Sequence, residues 1–173
     1  WESYNYNVDC ENDGLDDWIA QTGDVTCSYP AAGTYTIRIK DNSGVGTGFP
    51  RINFSGGGDA PKLISVDQWG SGIWSSMAHA FEGCSNLSGA ASDAPNLSNV
   101  IDMSFMFAGA TVFNEPIGAW DTSSITDRSY RFASASTFNQ PIVSWDTSSV
   151  DNMKALFRGA SSFNQPIGEW DTS

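Results

Sequence analysis

The sequence predicts an α+β protein in two parts. A small β-sandwich-like N-terminal cap is expected over residues 1–58, followed by a solenoid of short strands and short helices over residues 59–173. A motif of about 25 residues recurs through the C-terminal half, whereas the N-terminal part lacks it and contains alternating apolar and polar positions. With 40% apolar and 13% aromatic residues, a chain of 173 residues is expected to fold around a core.

The repeat consists of residue types that recur at a fixed step. Two columns of phenylalanine, one of tryptophan and one of asparagine each advance by 25 residues. The columns are Phe107, Phe132 and Phe157; Phe113, Phe138 and Phe163; Trp120, Trp145 and Trp170; and Asn114, Asn139 and Asn164. Such a period predicts units that bury their apolar faces against neighbouring units, here in about four coils. The asparagines are expected to form a ladder that bonds loop backbone.

Each coil is expected to contain one helix and one short strand. A helical stripe follows the capping residues 146–148 and ends before Gly159. The stripe is Val150, Met153, Leu156 and Phe157. The segment Ile-x-x-Trp-Asp is predicted to be the strand, and its spacing of three requires a bulge or a very short strand. Arg128 takes a methionine position of the stripe and is expected at the surface with its stem packed.

The N-terminal part is expected to contain four short strands, at 4–9, 24–29, 33–40 and 50–54. Residues 33–40 alternate most regularly. This cap would cover the apolar end of the solenoid.

An acidic cluster near the N-terminus is the candidate metal site. Its residues are Asp9, Glu11, Asp13 and Asp17. With Gly14 they resemble the opening of a calcium loop, but the position of the bidentate Glu is occupied by Ala20. A β-turn at Asp13-Gly14 is therefore favoured over calcium, and no metal or cofactor ligand is assigned.

The three cysteines indicate the compartment. Cys84 aligns with Ala110 in the repeat and is expected to be a buried free thiol. Cys10 and Cys27 each end a predicted strand of the same module. A disulfide between them would contribute about 3 kcal/mol and would imply an oxidising, extracytoplasmic setting; two unpaired buried thiols are the alternative.

Composition and motifs argue against several functions. The formal net charge of -12 disfavours nucleic acid and anionic membranes, and no apolar run reaches the length of a membrane span. The single histidine, His79, is expected to be a packing residue on the first helix, and no nucleophile or phosphate-binding motif is present. A binding protein is therefore predicted, and a hydrolase with an unmarked carboxylate pair is a minor alternative.

The repeat motif resembles a known family. Phe138-Asn139-Gln140-Pro141-Ile142, followed by Trp145-Asp146-Thr147, resembles the BspA-like surface-protein repeat, a leucine-rich-repeat-like unit. Residues 6–9, 12–14 and 32–37 are similar to PKD-like β-sandwich modules. These resemblances imply a secreted or cell-surface protein that acts in adhesion, protein binding or self-assembly, with an extracellular protein or neighbouring copies of itself as the partner.

The tryptophan column leaves two functions open. If Trp120, Trp145 and Trp170 face outward, they form an aromatic strip that suits sugar faces, and the chain is a carbohydrate-binding module. If they face inward, they belong to the core, and polar loops and edges are left to bind protein. The strict period favours the inward orientation.

Overall fold

A computed structural model describes residues 3–89 and 91–171 of the chain. The chain divides into two compact units, Trp1–Pro50 and Arg51–Ser173, here called the N-terminal unit and the repeat region. Within the described ranges the regular elements are three strands and one short 3-10 helix. They are β1 (Tyr6–Asp9), β2 (Trp18–Gln21), β3 (Arg38–Asp41) and the 3-10 helix Ala60–Lys62. The predicted α+β solenoid of short strands and short helices is therefore wrong, because the repeat region is built from turns.

The N-terminal unit contains an antiparallel sheet of order β2-β1-β3. Tyr6 and Val8 of β1 are buried, and the Phe49 ring packs edge-on against Tyr6 at 4.9 Å between centroids. The strand expected at 24–29 does not form. Its residues Val25 and Tyr29 instead pack against the buried β1 side chains without joining the ladder. In this segment alternation marked residues that contact the core without pairing, whereas the strands expected at 4–9 and 33–40 overlap β1 and β3 of the sheet.

Asp41 organises the glycine-rich loop that follows β3. Its carboxylate accepts hydrogen bonds from the backbone amides of Ser43, Gly44, Gly46 and Gly48. Desolvation opposes the charge, but the hydrogen bonds from Ser43 and from the amides of Gly48 and Gly46 outweigh it and lower the pKa of Asp41 to about 2. The loop is therefore tied to an ionised carboxylate.

We expect the loop to loosen in acid. Because the folded pKa of Asp41 lies below the ordinary value of 3.8, its stabilising contribution is complete above about pH 4 and is lost as the pH falls towards 2. The chemical shift of the Gly48 amide proton, followed by NMR, should titrate with a midpoint near 2. A midpoint at the ordinary aspartate value would contradict this prediction, and Asp41→Asn should abolish the titration.

Within the described part of the repeat region, four repeats stack their backbones in parallel, and residues 51–75 pair with the first of them. Repeats 1 to 4 are 76–101, 102–126, 127–151 and 152–171. Single parallel bridges join Asp102 to Asp127 and Asp127 to Asn152, which are the first residues of repeats 2, 3 and 4. The equivalent backbone positions of successive repeats therefore lie beside one another.

The amides at the start of each repeat alternate between two kinds of acceptor. In repeat 2, the odd-numbered amides of 103–109 donate to the carbonyls of 127–133 in the next repeat at 2.8–2.9 Å. The even-numbered amides of 106–110 close local turns to carbonyls three residues back. An α-helix needs its consecutive amides to bond within the segment. The predicted helix is therefore replaced by consecutive turns that show the same spacing of three.

The predicted strand is also a turn. In repeat 2 the Trp120 amide donates to the Ile117 carbonyl at 3.2 Å, and the equivalent bonds recur in repeats 3 and 4. A turn brings residues three apart onto one side of the backbone, whereas a strand places them on opposite faces. The spacing of three between Ile and Trp therefore reflects a turn.

Each repeat has two positions with left-handed backbone. At the first, the residues of repeats 1 to 4 are His79, Phe105, Tyr130 and Ala155, and Ser55 takes the equivalent place before repeat 1; φ lies between 47° and 59°. At the second, they are Gly83, Gly109, Ser134 and Gly159, with φ between 59° and 74°. Glycine adopts this conformation without penalty, whereas other L-residues pay about 1–2 kcal/mol. The second position is mostly glycine, and the first is never glycine.

Stacked aromatic rings fill the interior of the repeat region. Phe81, Phe107, Phe132 and Phe157 form one column, in which neighbouring ring centroids are 5.6–5.8 Å apart. Phe107 also stacks on Phe113 of its own repeat at 4.0 Å, and repeats 3 and 4 reproduce this pair. The aromatic columns in the sequence are therefore columns in space.

The strain at the first left-handed position can be tested at Ala155. Its φ of 53° is costly for alanine, so Ala155→Gly should raise the free energy of unfolding by about 0.5–1 kcal/mol. The matched control is Ala135→Gly. Ala135 is fully buried and does not have a positive φ, so replacing it with glycine should lower the free energy of unfolding by about 1 kcal/mol. Denaturant unfolding measures both changes, and equal effects of the two substitutions would contradict the prediction.

Candidate functional site

The expected disulfide is present between Cys10 and Cys27, whose Cα atoms are 5.7 Å apart. Cys10 is buried at the end of β1, and the Tyr29 hydroxyl donates to its carbonyl oxygen at 2.9 Å. The bond closes a loop over a sequence separation of 17, which corresponds to about 3 kcal/mol of stabilisation. A disulfide is compatible with an extracellular location.

Cys84 is a free thiol that is completely buried in repeat 1. Burial disfavours the thiolate and raises the pKa of Cys84 to about 12. The thiolate is the reactive form, so this cysteine is chemically inert in the folded protein.

We expect no thiol of the native protein to react quickly with a water-soluble aromatic disulfide reagent. Unfolding without a reductant should expose one reactive thiol, Cys84. Unfolding after reduction should expose three, which serves as the control for complete exposure. One fast-reacting thiol in the native protein would contradict the burial of Cys84, and three after unfolding alone would contradict the disulfide.

The acidic cluster lies in a bend after β1, where its carboxylates accept hydrogen bonds from backbone amides. The Asp9 carboxylate accepts the amides of Asp13 and Gly14 at 3.1 and 2.9 Å. Asp17 accepts the Cys10 amide at 2.8 Å. Among the described residues, no group of three or more histidine, cysteine or acidic side chains is arranged to hold a metal ion.

The tryptophan column belongs to the interior. Trp120, Trp145 and Trp170 are only 8%, 3% and 8% exposed, and the Trp145 and Trp170 rings stack at 6.4 Å. The Trp145 indole nitrogen donates to the Ile117 carbonyl of the preceding repeat at 3.1 Å. These side chains therefore offer no aromatic strip to a ligand in solution.

The asparagine ladder is confirmed. The Asn114 side-chain oxygen accepts the backbone amide of Asn139, and the Asn139 oxygen accepts that of Asn164, both at 2.8 Å. Gln140 and Gln165 add bonds from their side-chain amides to the carbonyls of Asn114 and Asn139. The column therefore joins successive repeats.

A second aromatic column lies at the surface, at the first left-handed position. The ring centroids of His79 and Phe105 are 4.8 Å apart, those of Phe105 and Tyr130 are 4.7 Å apart, and the ring planes are within 7° of parallel. All three residues are half-buried. We call His79, Phe105 and Tyr130 the surface stack. It is the candidate functional site.

Charged groups lie at both ends of the surface stack. The His79 Nδ1 atom is 2.7 Å from a carboxylate oxygen of Glu82. At the other end the Lys154 amine lies 5.8 Å from the centroid of the Tyr130 ring, within the range of a cation–π contact. These contacts fix the two outer rings of the stack.

Carboxylates precede the surface stack in the chain. The Asp127 carboxylate accepts the Ser129 amide at 2.7 Å and the Asn152 side-chain amide at 2.9 Å. Desolvation raises the pKa of Asp127, but the hydrogen bonds from Ser129 and Asn152 prevail and lower it. In the equivalent contact of repeat 2, the Asp102 carboxylate accepts a hydrogen bond from the Ser104 amide at 2.8 Å. Aspartate side chains therefore hold the backbone next to the stack through hydrogen bonds.

The surface stack was not identified from the sequence. His79 was expected to be an isolated packing residue on a helix, and it packs as expected but in a turn. The step of 26 and then 25 residues from His79 to Phe105 and Tyr130 is visible in the sequence. Ala155 interrupts the aromatic series in repeat 4, and no sequence pattern indicated the left-handed backbone that places these rings at the surface.

The fold and the site define a class: a repeat protein built from stacked turns, with an aromatic core and a half-exposed aromatic column. Residues 75–173 match the family described as "Mycoplasma protein of unknown function, DUF285", and the chain belongs to this family. No curated protein and no solved structure was found to be similar. In the described residues, no helix is long and apolar enough to cross a membrane.

Proposed function

We propose that the chain is a secreted or cell-surface protein that recognises another protein through the surface stack. The observation that carries the proposal is the presence of His79, Phe105 and Tyr130 on left-handed backbone. The same repeats use glycine at their other left-handed position, so the backbone alone does not select aromatic residues here. Side chains kept at a strained backbone position are typical of binding sites.

The geometry of the rings favours a protein partner over a glycan. The Phe105 ring has parallel rings on both faces, so the stack presents ring edges to solvent. Sugars pack on exposed ring faces, and the buried tryptophan column supplies none. Half-exposed aromatic side chains are typical anchors of protein interfaces.

Charge and compartment restrict the partner further. The net charge of -12 favours a partner surface that combines apolar and basic side chains and disfavours nucleic acid and anionic lipid. The Cys10–Cys27 disulfide suits an extracellular setting, in which the partner is an extracellular protein or a neighbouring copy of this chain. Binding without catalysis is part of this proposal.

The proposal is tested by removing the Phe105 and Tyr130 rings from the surface stack. Phe105→Ala/Tyr130→Ala places alanine where repeat 4 already has Ala155 at the same φ, so the variant is expected to fold. Binding to immobilised extracellular matrix proteins, to the chain itself and to a glycan panel is measured by interferometry. We expect wild type to bind a protein surface and the double variant to bind it at least tenfold more weakly, as for loss of an interface anchor.

The matched control is Val143→Ala, which trims a side chain that is 46% exposed elsewhere in repeat 3. Thermal unfolding of each variant shows whether the fold is kept. Equal binding by wild type and the double variant, or binding to glycans alone, would overturn the proposal.

A further inference from the structure

Two arginines are completely buried in the interior of the repeat region. Arg128 and Arg131 of repeat 3 are both 0% exposed. Arg128 takes the position of Met103 in repeat 2, and Arg131 takes that of Met106. The expectation that Arg128 lies at the surface is wrong, because this position faces the core, as it does for the fully buried Met77 and Met103. Repeat 3 therefore carries two cations where the neighbouring repeats carry apolar side chains.

Most of the hydrogen-bond donors of these arginines have no acceptor. The Arg131 guanidinium lies 4.3 Å from the centroid of the Trp145 ring and 5.3 Å from that of Phe132, and none of its three nitrogens has a hydrogen-bond partner in the described part of the chain. Arg128 donates from one nitrogen to the carbonyls of Thr122 and Asp146, and its other two nitrogens are unpartnered. Buried donors without acceptors are costly, and cation–π contacts offset only part of that cost.

A third residue with an unpartnered donor is Thr122. It is 2% exposed, its carbonyl accepts a hydrogen bond from Arg128, and its hydroxyl has no partner among the described residues. The equivalent hydroxyl in repeat 3, that of Thr147, accepts the Asp171 amide at 2.8 Å. The Thr122 hydroxyl thus differs from its counterpart and is available to donate.

Among the described residues of the repeat region, no buried acid balances the charges of the two arginines. Both guanidinium carbons lie over the Trp145 ring, at 5.6 and 4.3 Å from its centroid. Asp146 is exposed, and its carboxylate accepts a hydrogen bond from the Ser148 hydroxyl. Its charge favours the cationic form of Arg128. Burial lowers the pKa of Arg128 to about 10, and burial together with Arg128 lowers that of Arg131. Two like charges in one interior require a counter-charge.

We propose that the interior shared by repeats 2 and 3 binds a chloride ion through the Thr122 hydroxyl of repeat 2 and Arg128 and Arg131 of repeat 3. The unpartnered groups are hydrogen-bond donors on two guanidinium groups and a hydroxyl, which is the donor set that suits an anion and excludes a metal cation. We choose a single-atom anion because the Arg131 guanidinium lies among the Trp120, Phe132 and Trp145 rings, which disfavour a larger anion. The site is separate from the surface stack and does not depend on the function proposed for it.

The first test measures thermal unfolding while chloride replaces gluconate at constant ionic strength. Gluconate is too large to enter, so general screening stays fixed while the chloride concentration varies. Binding to the folded state alone should raise the Tm of the repeat region by about 3–5 °C for each tenfold increase in chloride above half-saturation. A Tm that is independent of chloride would overturn the proposal.

The second test removes the arginines while keeping the core apolar. Arg128→Met/Arg131→Leu introduces the residues found at these positions in repeat 4, Met153 and Leu156, so it is expected to fold. The variant should lose the dependence of Tm on chloride. The control Arg158→Gln, at an exposed arginine of repeat 4, should keep it. A double variant with an unchanged chloride dependence would overturn the proposal.

Crystals grown in bromide locate the ion directly. An anomalous peak beside Arg128 and Arg131 is expected in wild type, whereas peaks only at surface residues would overturn the proposal.

Discussion

Every second amide at the start of a repeat donates to a carbonyl of the next repeat, and the rest of the region depends on this bond. The bonds of 2.8–2.9 Å from 103–109 to 127–133 bring the repeats close enough for their Phe rings to stack. The amides between them have only local acceptors, so they close turns by donating to the carbonyls three residues back. Every amide of this segment needs an acceptor, either in the next repeat or three residues back in its own repeat. This one requirement therefore fixes both the stacking and the turns.

The same requirement explains the left-handed backbone. A continuous right-handed helix would direct every amide along one axis, whereas Phe105 and Gly109 each point their amides to the next repeat and have φ of 55° and 73°. At the second position of repeat 1 glycine is also required by a close approach, because a Cβ on Gly83 would lie 2.7 Å from the Gly56 Cα. No such contact demands glycine at the first position, which is open enough to carry a ring.

Much of the interior could be predicted from the sequence. The step of 25 residues identified the Phe and Trp columns, the asparagine ladder and the buried position of Cys84, since each is a property of the stacking itself. The disulfide between Cys10 and Cys27 followed from their places in one module. The secondary structure could not be predicted, because apolar residues three apart fit a helix and a series of turns equally well. The difference lies in where the amides donate, and the pattern of side chains does not record this.

The surface stack could not be predicted from the sequence for a related reason. His79, Phe105 and Tyr130 have the spacing of a core column, and only the sign of φ places them at the surface. Phe107 is 1% exposed and stacks on rings in both neighbouring repeats, so a change there must be accommodated inside the core. Phe105 also stacks on a ring in each neighbouring repeat, but it is only half-buried, so a smaller side chain there meets solvent. The first left-handed position instead accepts Ser, His, Phe, Tyr and Ala within one chain, while the inter-repeat bond from its amide persists from Ser55 to Tyr130. The stacking thus leaves this position free to vary in side chain, which is what a recognition surface on a repetitive scaffold requires.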